Sequence, residues 1–311
     1  MVVINLSSWE ERIGRQRDWV WRGWQTRYTY VRSLSSQPTP PIILLHGFGA
    51  SIEHWRHNLP VLSQHHTVYA LDLLGFGASK KASVDYNINL WVQQIYDFWQ
   101  TFIGQPVILV GNSIGSQMGL AAAAAHPEMG KGVVMLSLPD TSLLQDGFPS
   151  WMMSLERSVK QVVASPPLLK LLFFLARKPA FVKRWAGLAY ANRNAVTDEL
   201  VEILLGPAHD EGAARAFSAL FKAMISPQFA PSAKEILPTL TIPMLLIWGS
   251  SDFMIPAKLA HRFKELNPNL ELVTLENVGH CPHDECPEQF NEIVLNWLST
   301  KFALNSNKLE V

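Results

Sequence analysis

The chain has 311 residues, of which 48% are hydrophobic and 17% are charged, and its formal net charge at pH 7 is zero. This length accommodates one core domain with an insertion, and the composition excludes a largely disordered protein. A chain without net charge has no overall field that attracts nucleic acid, and no motif of interleaved basic and aromatic residues indicates a nucleic-acid surface. We therefore expect no nucleic-acid partner.

The first residues do not resemble an export signal. Residues 1–8 lack a basic segment followed by a long apolar one, so we predict that the protein is not secreted. No uninterrupted apolar run approaches the roughly 18 residues of a spanning helix, which limits any membrane contact to the periphery. Residues 19–30 are predicted to form two strands around a turn that lead into the main sheet.

The first chemical signal lies where an apolar strand ends. Residues 41–45 read Pro-Ile-Ile-Leu-Leu and run into His46, Gly47, Phe48 and Gly49. The flanking glycines let the backbone N–H of Phe48 turn towards a catalytic group, where it can hold the developing oxyanion of a reaction intermediate. This loop predicts one half of an oxyanion hole; the alternative is a tight glycine turn without chemistry.

The second signal is a serine between a strand and a helix. The apolar residues 107–110 precede Gly111-Asn112-Ser113-Ile114-Gly115, and small and apolar residues of helical character follow. This order is typical of a nucleophile elbow, whose tight turn admits only small residues two positions before and after the serine. We predict Ser113 as the nucleophile and the N–H of Ile114 as the second oxyanion donor.

A segment of about 100 residues follows that shows helical periodicity instead of strand alternation. Prolines divide it into several short helices, and it begins after a central strand. An insertion of this kind predicts a helical cap over the catalytic loops. We accordingly divide the chain into a first core part (1–138), a cap (139–240) and a second core part (241–311).

Part of this cap is strongly basic. Residues 157–197 contain no Asp or Glu, and their basic residues are interleaved with leucines and aromatic residues. Such a segment predicts peripheral contact with an anionic membrane. The alternative is that the cap helices are amphipathic because one side lines the pocket and the other meets water. The basic residues are Arg157, Lys160, Lys170, Arg177, Lys178, Lys183, Arg184 and Arg193.

The last part of the chain supplies an acid and a base. Residues 244–248 read as a buried strand whose following loop carries Asp252, and a strand over residues 270–275 is followed by His280. The order Ser113, Asp252, His280 is that of the α/β-hydrolases and differs from those of the chymotrypsin and subtilisin folds. Asp140, which follows another strand, is the alternative acid.

These motifs resemble the α/β-hydrolase superfamily over nearly the whole chain. The resemblance implies an α/β class fold, with a mostly parallel central sheet flanked by helices, and a serine ester hydrolase with a Ser-His-Asp triad that needs no cofactor. Residues 51–58 and 279–285 are further similar to cyanobacterial and plastid hydrolases of the chlorophyll dephytylase and pheophytinase-like group. That similarity implies a hydrophobic ester such as the phytyl ester of chlorophyll, and a location in the cytoplasm or at an intracellular membrane of the thylakoid type.

Several other activities stay open. A generic carboxylesterase or lipase-like hydrolase fits the same motifs, as do a cofactor-free perhydrolase and a carbon–carbon hydrolase of the meta-cleavage type. The last usually carries tryptophan where this chain has Cys281. Haloalkane dehalogenases and epoxide hydrolases are disfavoured because they carry Asp at the position of Ser113. A non-catalytic binding module is the alternative from a different class.

The remaining polar residues receive structural interpretations. Cys281 and Cys286 match no standard zinc spacing, and we expect no metal. His283 is predicted to support the loop of His280. Four further histidines are predicted to lie at the surface or at helix starts: His54, His57, His65 and His66.

Overall fold

The computed structural model describes residues 8–140, 165–226 and 228–302. Its centre is an eight-stranded sheet with the strand order β1-β2-β4-β3-β5-β6-β7-β8. The first strand pairs antiparallel with the second, the second antiparallel with the fourth, and all other neighbours are parallel, as predicted. The strands are β1 (Gln16–Trp21), β2 (Trp24–Val31), β3 (Ile42–Leu45), β4 (Val68–Leu71), β5 (Val107–Asn112), β6 (Gly130–Leu136), β7 (Met244–Gly249) and β8 (Leu270–Leu275).

The helices lie before, between and after these strands. Short 3-10 helices span Ile52–Trp55, Arg193–Ala195, Gly206–His209 and Leu237–Thr239. The α-helices are α1 (Trp9–Arg12), α2 (Leu59–Leu62), α3 (Ile88–Phe102), α4 (Ile114–Ala125), α5 (Pro166–Ala176), α6 (Pro179–Ala189), α7 (Asp198–Leu205), α8 (Ala213–Met224), α9 (Ala233–Ile236), α10 (Lys258–Leu266), α11 (Pro282–Glu285) and α12 (Pro287–Phe302).

The central strands are buried on both faces. In β3, Ile43 and Leu45 join the hydrophobic core under α3, α4 and α10, whereas Ile42 and Leu44 join the core under α2 and α12. Successive side chains of a strand point to opposite faces, so a strand covered on both sides must be apolar at every position. This explains the uninterrupted apolar runs that precede each candidate catalytic loop.

The predicted strand pair at residues 19–30 is confirmed as the hairpin of β1 and β2. Arg22 and Gly23 form its two-residue turn with φ values of 49° and 86°. Positive φ at both central positions is the geometry of a type I′ turn, whose twist matches that of the flanking strands. The hairpin places β1 at one edge of the sheet, far in strand order from β7 and β8.

Residues 165–226 and 228–240 lie between β6 and β7 and contain helices α5 to α9. Pro166 and Pro179 occupy first-turn positions of α5 and α6, where the missing N–H costs no hydrogen bond. Arg157 and Lys160, two of the basic positions noted above, lie outside the described residues. Among the helices that the structure describes, none combines the length and apolar character needed to cross a membrane.

Candidate active site

Ser113 lies in the sharp turn between β5 and α4. Its backbone has φ 55° and ψ −121°, a conformation that non-glycine residues rarely adopt and that stores strain. A Cβ atom at Gly111 would lie 2.2 Å from the carbonyl oxygen of Gly115, and one at Gly115 would lie 2.2 Å from that of Leu45. Only glycine fits these two positions, so the steric rule that suggested the elbow holds in the structure.

Asp252 and His280 meet at the same edge of the sheet. Asp252 follows β7 and His280 follows β8, and His280 Nδ1 lies 2.8 Å from Asp252 Oδ2. The other carboxylate oxygen accepts the N–H groups of Met254 and Ile255, each at 2.9 Å. Because an ionised carboxylate only accepts hydrogen bonds, Nδ1 carries the proton and Nε2 of the neutral ring is left with a lone pair. This is the tautomer that a general base requires.

The residue before the serine binds the backbone of the histidine. Asn112 Nδ2 donates a hydrogen bond of 3.0 Å to the carbonyl oxygen of His280. On its other side, the N–H of His280 donates to the carbonyl oxygen of Ala189 at the end of α6. The three predicted catalytic residues are therefore brought together at the carboxyl ends of β5, β7 and β8.

The loop after β3 lies against the elbow. A Cβ atom at Gly47 would be 2.9 Å from Asn112 Oδ1 and 3.6 Å from Ser113 Cβ. Within the described residues, the N–H groups of Phe48 and Ile114 donate to no protein acceptor. Both N–H groups lie in segments next to the candidate nucleophile and have no protein partner. Such a pair of backbone donors can form an oxyanion hole.

His46 fixes this loop and takes no part in the Asp252–His280 pair. Its Nε2 accepts the N–H of Leu73 at 3.2 Å, and its Nδ1 therefore carries the proton and donates to the carbonyl oxygen of Gly47 at 2.8 Å. Burial lowers the pKa of His46 to about 4, so the ring is neutral at physiological pH.

Asp140, the alternative acid, is buried next to a different element. Its Oδ2 accepts hydrogen bonds from the Ser232 hydroxyl and from the N–H of Lys234, both at 3.2 Å and both at the start of α9. The structure therefore places Asp252, and not Asp140, against Nδ1 of His280.

Two of the four histidines that were predicted to lie at the surface or at helix starts are buried. His54 and His66 are buried, whereas His57 is half-buried and His65 is exposed. His66 is held by the carbonyl oxygen of Pro40. His54 is buried because it belongs to a polar network that includes His283, which contacts His54. A histidine can be buried at little cost when its ring nitrogens find partners.

This network centres on the buried carboxylate of Asp284, four residues after His280. Asp284 Oδ1 lies 2.7 Å from Arg56 Nη1, and Oδ2 accepts the Tyr190 hydroxyl at 2.6 Å. Arg56 Nε also contacts Glu199 of α7 at 2.6 Å, and Glu199 contacts Arg12 of α1. The network thus links α1 and the segment at residues 52–56 to α7, to Tyr190 directly after α6, and to the segment that carries His280.

The proton positions in this network follow from its geometry. The Tyr190 hydroxyl has one hydrogen, which it donates to Asp284, so its oxygen accepts from His54 Nε2 at 2.9 Å. His54 Nδ1 is then an acceptor for His283 Nε2 at 3.2 Å. Burial lowers the pKa of His54 to about 4, and burial beside His54 and Arg56 holds the pKa of His283 well below its usual value. Both rings are therefore neutral, in agreement with the one-way chain of donors.

Sequence reasoning missed Arg56, Tyr190, Glu199 and Asp284. The available signal was the similarity of residues 51–58 and 279–285 to one group of hydrolases, because both segments are now seen to meet in this network. In the part of the chain that the structure describes, no three His, Cys, Asp or Glu residues are arranged to hold a metal ion. Cys281 is buried, which raises the pKa of its thiol well above the usual value and keeps it protonated.

The comparison with known families decides the assignment. Residues 40–287 match the family model described as the alpha/beta hydrolase fold. The chain belongs to the α/β hydrolase family. The superfamily resemblance is thereby confirmed, and membership supports hydrolase activity.

Two characterised relatives of this α/β hydrolase are similar over most of its length. The 2-hydroxy-6-oxo-6-(2'-aminophenyl)hexa-2,4-dienoic acid hydrolase of Metapseudomonas resinovorans is 25% identical over 284 residues, covering 90% of this chain and 89% of the relative. The chloroplastic pheophytinase of Arabidopsis thaliana is 25% identical over 301 residues, covering 83% of this chain and 61% of the relative. The crystal structure of a serine hydrolase involved in carbazole degradation shares the fold, with a TM-score of 0.74 and 20% identity over 92% of this chain and 99% of that chain.

Removal of the buried ion pair between Arg56 and Asp284 should strongly destabilise the protein. We expect Arg56→Met to lower the free energy of unfolding by about 3–5 kcal/mol, because it leaves the Asp284 charge buried without its partner. Urea unfolding measures the difference. The matched control is Arg22→Met, whose pair with Asp97 at 3.2 Å is partly exposed and should be worth less than about 1 kcal/mol. Equal effects of the two substitutions would contradict the assigned role of the network.

Proposed function

We propose that this protein is a serine hydrolase that cleaves a hydrophobic carboxylic ester through an acyl-enzyme. The observation that carries the proposal is the hydrogen bond of 2.8 Å between Asp252 and His280, at the sheet edge where Ser113 occupies a strained turn. Strain of this kind is characteristic of functional sites. The fold by itself does not supply a nucleophile, a base and an acid in this arrangement.

The proposed reaction has two steps. His280 Nε2 removes the proton from the Ser113 hydroxyl as its oxygen attacks the ester carbonyl carbon, and Asp252 stabilises the imidazolium that forms. The N–H groups of Phe48 and Ile114 hold the oxyanion, and the alcohol leaves with the proton from His280. Water, activated by the same histidine, then attacks the acyl-enzyme and releases the acid.

We propose further that residues 139–240 act as a cap over this site. The contact between the His280 N–H and the carbonyl oxygen of Ala189 supports this, as does the bond from Tyr190 to Asp284. Both connect the end of α6 with the segment that holds the base. A cap that contacts the catalytic loops determines which substrates reach the serine.

For the substrate, a phytyl ester of a chlorophyll-type pigment is favoured. The similarity to a chloroplastic pheophytinase supports it. The helices proposed to form the cap are also rich in apolar side chains; α5 carries Leu and Phe at seven of its eleven positions, and Leu169 among them is buried. An apolar cap suits a long hydrocarbon chain, whether from a phytyl ester or from a lipid ester.

A carbon–carbon hydrolase is the second candidate. The relative from Metapseudomonas resinovorans is a hydrolase of a hexa-2,4-dienoic acid, and it is similar over a larger share of its own length than the pheophytinase is. Cys281, next to His280, is buried against Asn112, with Sγ 3.9 Å from Asn112 Oδ1. Meta-cleavage hydrolases usually carry tryptophan at the position of Cys281, so its identity argues for ester cleavage.

A three-substrate assay separates these activities. Wild-type protein is offered chlorophyll a in detergent, a short-chain p-nitrophenyl ester, and a 2-hydroxy-6-oxo-hexa-2,4-dienoate, each beside a Ser113→Ala control. We expect phytol release and p-nitrophenol release that both depend on Ser113. Cleavage of the p-nitrophenyl ester alone would remove the pigment substrate but keep the esterase, whereas cleavage of the dienoate alone would replace the ester reaction with carbon–carbon hydrolysis.

A further inference from the structure

Large apolar side chains are exposed on two consecutive cap helices. Among the described residues, those most exposed are Val20, Leu34, Leu171, Phe174, Trp185, Leu188, Phe253 and Met254. Four of these eight lie on α5 and α6, where Leu171, Phe174, Trp185 and Leu188 are 51–60% exposed. Scattered exposed apolar residues are ordinary, but a cluster on neighbouring elements marks an interaction surface.

The same helices are bordered by charges of one sign. Residues 165–197 contain six Lys or Arg residues and no Asp or Glu. Lys183 pairs with Asp198 of α7 at 2.8 Å. Arg177 and Lys178, in the connection between α5 and α6, are both exposed, and the Lys178 ammonium lies 4.7 Å from the ring centre of Phe174. The basic and aromatic side chains therefore share one surface.

Helical geometry places these side chains on one side of each helix. At 100° per residue, Lys170, Leu171 and Phe174 of α5 fall within one arc of about 100°, away from the buried Leu169. In α6, Phe181, Trp185 and Leu188 follow the spacing i, i+4, i+7, and Arg184 lies about 40° from Leu188 around the helix, at the edge of the same side. The Phe181 and Trp185 rings stack with their centres 6.3 Å apart. We call these exposed sides of α5 and α6 the basic-aromatic surface.

We infer that the basic-aromatic surface docks on an anionic lipid bilayer. Trp and Phe side chains prefer the boundary between headgroups and acyl chains, while Lys and Arg side chains extend from the same surface to lipid phosphates. Apart from the Lys183–Asp198 pair, the positive charge of α5, α6 and their connection complements anionic headgroups, and it is interleaved with apolar residues in the way that interfacial helices require. The contact that we infer is peripheral, with the helices lying on the bilayer surface.

The surface lies close in sequence to a contact with the proposed base. Leu188 precedes Ala189, whose carbonyl oxygen accepts from the His280 N–H. Docking would therefore hold the cap end of the site near the bilayer, where esters with long hydrocarbon chains are dissolved. Only this consequence rests on the proposed function; the docking itself requires no catalysis and is testable on the Ser113→Ala variant.

Vesicle co-sedimentation tests the inference. At low salt, we expect retention by vesicles of phosphatidylcholine with phosphatidylglycerol and little retention by phosphatidylcholine alone. Each basic residue near an anionic surface contributes about fivefold to partitioning, so Arg177→Gln with Lys178→Gln should weaken binding by about 25-fold. Raising the salt from 0.01 to 0.1 M shortens the Debye length from about 30 Å to about 10 Å and should weaken binding in the same direction.

The matched control removes two basic residues from α10 in the core. Lys258→Gln with Lys264→Gln changes the net charge by the same amount and should leave retention unchanged within about twofold. Phe174→Ser with Trp185→Ser tests the apolar part and should weaken retention at every salt concentration. The inference would be overturned if wild-type protein failed to bind anionic vesicles or bound neutral vesicles equally well. It would also be overturned if the Arg177/Lys178 double variant and the Lys258/Lys264 double variant lost the same amount of binding. Circular dichroism and thermal unfolding, measured in parallel, show whether all variants are folded.

Discussion

Replacement of Ser113 by alanine should lower kcat/KM for ester hydrolysis by at least about 10⁴-fold. The serine oxygen forms the acyl-enzyme in the proposed reaction, and no other hydroxyl occupies the strained turn between β5 and α4. Residual activity above the uncatalysed rate would come from the oxyanion donors and from substrate binding. Steady-state kinetics with a p-nitrophenyl ester measures the ratio.

Ser218→Ala is the matched control for this loss. Ser218 lies on α8, and its hydroxyl donates to the carbonyl oxygen of Ala214 within the same helix. We expect its kcat/KM to stay within about twofold of the wild-type value, because exposed substitutions away from special features have small effects. A Ser113→Ala variant that keeps more than about a tenth of the activity would exclude the acyl-enzyme mechanism.

Asp252→Asn should produce a loss of similar size, about 10⁴-fold in kcat. The structure gives a specific reason. The N–H groups of Met254 and Ile255 both donate to one carboxylate oxygen, so an asparagine would leave its carbonyl oxygen there and turn its NH₂ group towards His280. His280 Nδ1 would then have to accept, which places the proton on Nε2 and removes the lone pair that takes the serine proton.

Asp140→Asn makes the same chemical change as Asp252→Asn at the alternative acid, Asp140. Asp140 accepts hydrogen bonds from Ser232 and Lys234 at the start of α9, and an asparagine carbonyl oxygen can accept the same bonds. We expect kcat to stay within about tenfold of the wild-type value. If Asp140→Asn were the more damaging substitution, the acid would have to be reassigned from Asp252 to Asp140.

The sharp turn at Ser113 and the positions of Asp252 and His280 at strand ends could be predicted because they depend on local sterics and strand pattern. Only glycine fits at positions 111 and 115, two residues before and after Ser113. This requirement concerns five consecutive residues and can therefore be recognised in the sequence. Strands buried on both faces leave apolar runs, so the loops that carry Asp252 and His280 could be placed at strand ends. Parallel pairing of β5, β6, β7 and β8 then brings those ends to one edge.

The buried network could not be predicted in this way. Arg56 and Asp284 are separated by more than 200 residues, and each alone looks like a surface residue because charged side chains are seldom buried. Only the position of the partner makes burial acceptable. The same applies to His54, whose ring is satisfied by Tyr190 and His283, far away in the sequence.

The faces of helix α5 show a further limit of prediction from periodicity. Residues Leu168 to Leu175 of α5 are almost continuously apolar, yet Leu169 is buried and Leu171 is exposed. The buried side of an amphipathic helix can be predicted when polar residues occupy the opposite side. In α5 the only polar residue is Lys170, which is too little to define the exposed side. The exposure of Leu171 and Phe174 on α5 therefore follows from the packing of the structure and could not be predicted from the sequence.

The proposed reaction requires Ser113 to be an activated nucleophile, which covalent labelling detects. Native protein is treated with a fluorophosphonate, digested, and mapped by mass spectrometry, with heat-unfolded protein as the control. We expect one phosphonate on the peptide that contains Ser113 in the folded protein and none in the unfolded protein. Folded protein that is unlabelled, or labelled at another serine, would contradict the proposed mechanism.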